Sequence, residues 1–388
     1  MKKQLLILLL LAIYGYSISA QDLPDNCHVA VVDDSRTLAF YDIAEDNPQP
    51  IASVQDFSLN FVFSPNSRYV AVEERQPEDS LRTQIVIYEI LNFQLNEVAA
   101  LPDIRFIQGG NWSNNSNRLL LQDDFFNFSL HVFDIASGEI NPFPTAPVLA
   151  IYQATWTLDD SQILFAAEET PFPTTDYGQS GVVALYAADA KTLAYLPITS
   201  PSESVGYYFN RFLDSQAGDY IFSACSEDTE LCQLMLMSNE ETVGLPGRYT
   251  ILGTLTSERI LVSQSEFTSD ALIFRIDYLD LTSKELVPIL TIQTTNLDLI
   301  VSIMNWSDDG RWLAFVDGSN TLNLLDLRNG SITPIESDYW GPYDWHPYQN
   351  IFLYRTQDQL IVYDVEGAAK IIQLSEDAEF VRARWVCI

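Results

Sequence analysis

The chain has 388 residues, 20 Lys+Arg against 53 Asp+Glu, a formal net charge of -33 and a hydrophobic content of 47%. That apolar content is ample for a folded core and excludes wholesale disorder. The acidity argues against nucleic acid and against anionic membrane surfaces, both of which are held by Lys and Arg.

The first segment reads as an export signal. Lys2 and Lys3 form a positive start, Leu5 to Ile13 is an apolar run, and Ser17-Ile18-Ser19-Ala20 ends in small residues before Gln21-Asp22. This is the three-part pattern of a cleaved signal peptide over residues 1–20, with cleavage near Ala20. The apolar run falls short of the ~20 residues a spanning helix needs. Losing two Lys and no acid takes the mature charge from -33 to about -35. The expected location is secreted or periplasmic, with no membrane insertion after cleavage.

Two patterns then alternate along the chain. One is an aromatic residue, Ser or Thr, a variable residue, Asp or Asn, then Gly or Ser, followed by an aliphatic pair. It reads Phe63-Ser64-Pro65-Asn66-Ser67, then Trp112-Ser113-Asn114-Asn115-Ser116 and Trp156-Thr157-Leu158-Asp159-Asp160. The cleanest copy is Trp306-Ser307-Asp308-Asp309-Gly310-Arg311-Trp312-Leu313-Ala314, and Trp345-His346-Pro347 is a variant. Such offsets are turn chemistry between two strands. The other pattern is an apolar run ending in aromatic or Leu, Asp, aliphatic. Examples are Tyr41-Asp42-Ile43, Phe133-Asp134-Ile135, Leu279-Asp280-Leu281, Leu325-Asp326-Leu327 and Tyr363-Asp364-Val365. Its Asp can accept a backbone N–H in the turn that follows.

The second pattern has eight copies, spaced by roughly 38 to 53 residues, the length of a four-stranded propeller blade. The expected fold is therefore all-β, a single propeller of eight four-stranded blades over residues 21–388. The number is seven if the degenerate copy around Met235 is not a blade. The first pattern lacks an internal eighth copy, and the ends supply it. Val381 to Cys387 reads as an inner strand with its Trp, and the mature N-terminus opens on the next strand. One blade is thus expected to be shared by both termini, which leaves every strand edge covered.

The Trp-Ser-x-Asp-Gly-x-x-aliphatic-Ala repeat followed by aliphatic-Tyr-x-Asp resembles the TolB-type β-propeller repeat family. It is similar to WD40 repeats in fold, without their Gly-His and Trp-Asp pairs. The resemblance covers nearly all of residues 27–388. It implies the fold and says little of function, because the matching residues are turn formers and core aromatics. The family includes binding proteins and the propeller domains of larger peptidases.

Four Cys in an exported chain suggest disulfides. Cys225 and Cys232 flank a polar turn between two strands of one blade, and Cys27 and Cys387 lie at the two ends that the ring brings together. The expected pairs are Cys225–Cys232 and Cys27–Cys387. For the latter the chain-entropy model suggests roughly 5 kcal/mol.

Catalytic signatures are absent. His28, His131 and His346 read as structural, and there is no Gly-x-Ser-x-Gly elbow, His-Glu-x-x-His or P-loop. A site dispersed over several blades would leave no such signature. Acid pairs at Asp33-Asp34, Asp123-Asp124, Asp159-Asp160 and Asp308-Asp309 read first as turn caps. Ca2+ is the cofactor they would suit, since it takes oxygen ligands.

Loops between the second and third strands of a blade share one face with the loops that join blades. On that face fall Asp123, Asp124, Phe125, Phe126, Phe172, Asp176 and Tyr177. The blade-joining loops are expected to add Tyr207, Tyr208, Tyr339, Trp340 and Tyr343. An acidic, aromatic face suits a protein, peptide or glycan partner. The reading is a monomeric, exported, non-catalytic binding propeller. The alternative is a propeller hydrolase or lyase with a divalent cation near the central channel.

Overall fold

The computed structural model describes residues 27–387 except 34, 44–47, 56, 59, 77–81, 110–111, 124–128, 145–148, 158, 170–182, 200–204, 210–219, 227–230, 239–240, 246–248, 257–258, 269–271, 282, 295–303, 308, 318, 320, 337–340, 357–358, 366–368 and 374–380. The described residues contain strands and turns and no helix. The strands form eight sheets, arranged as the eight blades of a propeller, each with four antiparallel strands and one with a short fifth strand added. Blade 1 comprises Phe61–Phe63, Tyr69–Arg75, Thr83–Leu91 and Gln94–Pro102, from the innermost strand outward. Blades 2 to 7 follow over residues 104–142, 149–197, 205–244, 249–294, 304–336 and 341–373. The degenerate copy around Met235 is a true strand of blade 4, Leu231–Ser238.

Blade 8 is built from both ends. The C-terminal strand Val381–Cys387 is innermost, and Cys27–Asp33, Leu38–Tyr41 and Pro50–Val54 lie outside it. Seven residue pairs hold the two terminal strands together, from Cys27↔Cys387 to Asp33↔Val381. A disulfide joins Cys27 to Cys387 across 360 residues. The expected ring closure is thus present, in hydrogen bonds and in a covalent bond.

Eight apolar clusters explain why the strands read as near-continuous hydrophobic runs. Each cluster lies between two neighbouring blades, and together they go once round the ring. Successive side chains of a strand point to opposite faces. Val29 and Val31 therefore pack toward blade 7, while Ala30 and Val32 pack toward blade 1. Both faces of a blade are core, so alternation with polar residues is lost. Each fully buried aliphatic side chain contributes about 1.5–3 kcal/mol, and Val29, Leu38, Val70, Leu119, Leu164, Leu261 and Leu313 are all buried completely.

The repeat motif makes one turn again and again. The hydroxyls of Ser64, Ser113, Thr157 and Ser307 accept the N–H five residues on, at 2.9, 2.9, 3.0 and 2.9 Å. Each donates to the Asn or Asp two residues on, at 2.8, 2.9, 2.7 and 2.6 Å. The next residue is left-handed: Ser67, Ser116, Asp160 and Gly310 have φ of 59, 63, 57 and 65°. That is why the motif prefers Gly, Asp or Ser there. The second motif's Asp also acts as read: Asp134, Asp280 and Asp326 each accept a turn N–H at 2.9 Å.

One irregularity was not legible. After Ile104–Phe106 the innermost strand of blade 2 crosses to its neighbour, and Gln108–Gly109 pairs in parallel with Gln153 and Ala154 of blade 3.

Candidate binding site at the channel mouth

The two faces of the ring differ. The motif turns occupy one. The other collects the turns between second and third strands and the blade-joining segments, as the sequence implied. Hydrogen bonds tie these two classes of loop together. In blade 1 Arg82 donates to both carboxylate oxygens of Asp103 at 3.0 Å, and Gln76 donates to the same carboxylate at 3.0 Å. In blade 8 the Phe57 N–H donates to the Arg36 carbonyl at 2.7 Å, and the Arg36 guanidinium donates back to the Phe57 carbonyl at 3.2 Å.

Carboxylates recur on this face as turn formers. Asp33 accepts from the Ser35 hydroxyl at 2.5 Å and the Thr37 N–H at 3.0 Å. Asp317 repeats this with Ser319 and Thr321 at 2.6 and 3.1 Å, and it also accepts from Asn323 at 2.9 Å. Burial alone would raise the Asp317 carboxyl, but these donors outweigh it and hold it below the usual carboxylate range. Asp123, at the end of its strand, pairs with His131 Nε2 at 2.7 Å across the hairpin of blade 2.

Inside this acidic rim lies a cationic, aromatic cleft. A cavity of about 270 Å³ opens between the innermost strands of blades 8 and 1. Its walls include Ala30, Val32, Phe61, Phe63, Arg382 and Arg384. The alternation of the Val381–Cys387 strand explains the composition: Ala383 and Trp385 pack into the core toward blade 7, so Arg382 and Arg384 share the opposite face. The Arg382 guanidinium lies 5.7 Å from the Phe61 ring centroid, and that of Arg384 lies 5.9 Å from Phe63. Phe61 and Phe63 meet edge to face at 5.6 Å. Arg384 has its Nε 3.9 Å from Asp344 Oδ2, an oxygen that also accepts the Trp385 N–H at 3.0 Å. Val381 is paired with Asp33, whose turn lies on the loop face. Arg382 and Phe61 therefore stand nearest that face, with Arg384 and Phe63 one step deeper.

The residues singled out from sequence divide three ways. Asp123 is described and is engaged by His131. Tyr207 and Tyr208 belong to the innermost strand Val205–Phe209, and Tyr343 to the innermost strand Gly341–Trp345, rather than to joining loops. Tyr343 is the extra residue of a bulge, since Pro342 pairs with Tyr354 and Asp344 with Leu353. Asp124, Phe125, Phe126, Phe172, Asp176, Tyr177, Tyr339 and Trp340 lie outside the described residues, as do residues 1–20, where the sequence leads one to expect a signal peptide. Sequence reasoning passed over Arg382 and Arg384. The available signal was Arg-Ala-Arg on alternate positions of an apolar inner strand, in a chain with few cations.

On the opposite face, His346 takes the place of the motif Ser. Its Nδ1 accepts the Tyr348 N–H at 3.1 Å, and its ring meets Trp385 edge-on at 4.5 Å. Burial pushes its pKa down to about 4. Ligand atoms of His346, Cys27 and Cys387 lie within 4.8 Å of one another, the one such grouping among the described residues. The two sulfurs are bonded to each other and offer no thiolate, so the oxidised protein has no metal centre there. Cys225 and Cys232 are direct cross-strand partners in blade 4. Of the acid pairs, Asp159 and Asp309 each accept within their own motif turn, from Ser161 N–H at 3.1 Å and Arg311 N–H at 2.9 Å.

No family model and no curated protein matches the sequence. Solved structures do match in shape. Porphyromonas gingivalis dipeptidyl peptidase 4 superposes with a TM-score of 0.59 at 10% identity, over 92% of this chain and 59% of that one. Apo AztD from Citrobacter koseri gives 0.54 at 12% identity, over 92% of this chain and 98% of that one. An oligogalacturonate lyase in complex with manganese gives 0.52 at 15% identity, over 81% and 88%. At these identities the likeness is one of fold. It agrees with the sheet topology and with the resemblance read from the repeats: the chain is an eight-bladed β-propeller.

Proposed function

We propose that this propeller is a non-catalytic binding module that takes a protein, peptide or glycan partner on its loop face. The observation that carries the reading is the arginine–phenylalanine cleft, which begins at that face and runs inward between blades 8 and 1. Concave sites with apolar walls and a few placed charges are where partners insert side chains or sugar rings. The loop bases around it are anchored by the Arg82–Asp103 and Arg36–Phe57 contacts, so the surface is largely formed before a partner arrives. Pre-formed surfaces lose less entropy on binding.

The described lining supports binding over catalysis. It offers guanidinium groups and phenyl rings, whereas hydrolysis or lysis calls for a positioned base or nucleophile. The His131–Asp123 pair lies between the second and third strands of blade 2, away from the innermost strands that carry the cleft.

The test is capture from the cell envelope and medium of the source organism. Purified oxidised protein serves as bait, and bound protein and glycan are identified by mass spectrometry. The expected result is a specific partner whose capture weakens when Asp123, Asp124 and Asp176, which the sequence assigns to loops, are neutralised together. Capture unchanged by that variant would remove the loop face as the site. Turnover of any substrate by the pure protein in a hydrolase and lyase screen would overturn the non-catalytic reading.

A further inference from the structure

We infer that the cleft between blades 8 and 1 is a carboxylate site, which takes two acidic groups about 7 Å apart, as on an extended peptide with Asp or Glu at alternate positions. The inference rests on the binding reading above and names the chemistry of what enters the cleft.

The spacing comes from the strand itself. Arg382 and Arg384 lie two residues apart on one face of an extended strand. Alternate residues of a strand are about 6.6–6.8 Å apart. An extended ligand backbone has the same period, so acidic side chains at alternate positions meet successive guanidinium groups in register.

The donors are placed for this task. A guanidinium held over an aromatic face keeps its in-plane N–H groups directed outward, and those are the groups that bind carboxylate as a fork. Phe61 and Phe63 provide the faces for Arg382 and Arg384. Asp344 sits beside Arg384 at 3.9 Å from its Nε. Its Oδ2 is shared with the Trp385 N–H, so one oxygen serves two donors and leaves the remaining edge of Arg384 for a ligand. The Arg384 side chain keeps 43% of its exposure despite lying in the ring interior.

Charge selects as well. The chain carries 53 acids against 20 Lys and Arg, and the loop face onto which the cleft opens holds Asp33 in blade 8, with Asp103 and Asp317 in turns of other blades. A purely anionic surface would be repelled at the rim. A peptide that presents acidic residues to the cleft and neutral or basic residues to the rim satisfies both.

The experiment is calorimetric titration of the oxidised protein with short blocked peptides. Acetyl-Glu-Ala-Glu-amide is the probe, with the Gln-Ala-Gln and Glu-Glu forms as controls. The expected order is Glu-Ala-Glu tightest, Glu-Glu at least tenfold weaker, and Gln-Ala-Gln without measurable binding. Arg382→Gln and Arg384→Gln should each weaken Glu-Ala-Glu by tenfold or more, and raising salt should weaken it further. The peptide series uses the wild-type protein alone, so it decides even if a variant misfolds. Equal binding of the Gln-Ala-Gln form, or indifference to spacing, would overturn the inference. Retention of a captured partner by a folded Arg382→Gln, Arg384→Gln protein would overturn it too, while leaving the binding reading standing. Failure of the binding reading has its own signature, which is turnover by the pure protein.

Discussion

The carboxylate of Asp160 in blade 3 accepts backbone N–H groups from both Asn114, at 2.7 Å, and Asn115, at 2.8 Å, in the motif turn of blade 2. One blade's turn residue thus caps the turn before it. Ser116 does the same for Asn66 of blade 1 at 3.0 Å. Asp160 is 7% exposed and left-handed at φ 57°, so the left-handed residue of one turn supplies the acceptor for the turn before it. Arg118 strengthens this junction by donating to the Asp160 and Ala190 carbonyls at 2.9 and 2.7 Å, over the Trp156 ring.

Replacing Asp160 with Ala should therefore cost about 1–3 kcal/mol, because two part-buried N–H groups lose a charged acceptor. Asp160→Asn keeps one acceptor oxygen and tolerates the left-handed backbone, so its cost should be smaller. Denaturant unfolding of both variants checks the order.

His346 should make stability depend on pH. Its folded pKa lies at about 4, below the ordinary 6.5, because it is buried. Between these values the unfolded chain binds the extra proton, so the contribution is full above about pH 6.5 and is lost as pH falls toward 4. The shift corresponds to about 3 kcal/mol. His346→Ser restores the residue used in the other repeats. The wild-type minus variant difference in unfolding free energy should fall across that window and stay level above it.

The Cys27–Cys387 bond should set stability more than shape. Reduction or Cys27→Ser should cost about 5 kcal/mol by the chain-entropy estimate for so long a loop. The seven residue pairs between the terminal strands of blade 8 and the clusters on either side of it remain. Circular dichroism should thus be unchanged at ambient temperature, while the denaturant midpoint falls. A loss of strand signal on reduction alone would contradict this.

Cys225 and Cys232 face each other directly in the register of blade 4. Directly opposed residues in an antiparallel pair have the Cα separation that a disulfide spans. Peptide mapping without reductant should recover Cys225 and Cys232 in one linked fragment and no alkylated thiol anywhere in the folded protein.

The blades were legible in the sequence for a local reason. Each motif turn is closed by hydrogen bonds within six residues, as at Ser307 to Trp312, so its residue types recur wherever the turn does. The shared blade followed from counting motifs, and the Cys27–Cys387 pair followed from the shared blade. The cleft was not legible in that way. Arg382 and Arg384 become a site because Phe61 and Phe63, more than 300 residues earlier in the sequence, stand beside them. Likewise, the place of His346 beside Cys27 and Cys387 depends on how blade 7 packs on blade 8. Tyr207 and Tyr208, expected in a joining loop, pair with the second strand of blade 4, and Tyr343, expected in another, is the bulge residue within the innermost strand of blade 7; both placements depend on pairing with a strand more distant in sequence. By itself the sequence determined the blade, its repeat and the closure of the ring, since these rest on short-range turn chemistry and a fixed period. The tertiary structure decided which side chains meet at the channel mouth, because those contacts arise between innermost strands whose order around the ring only closure defines.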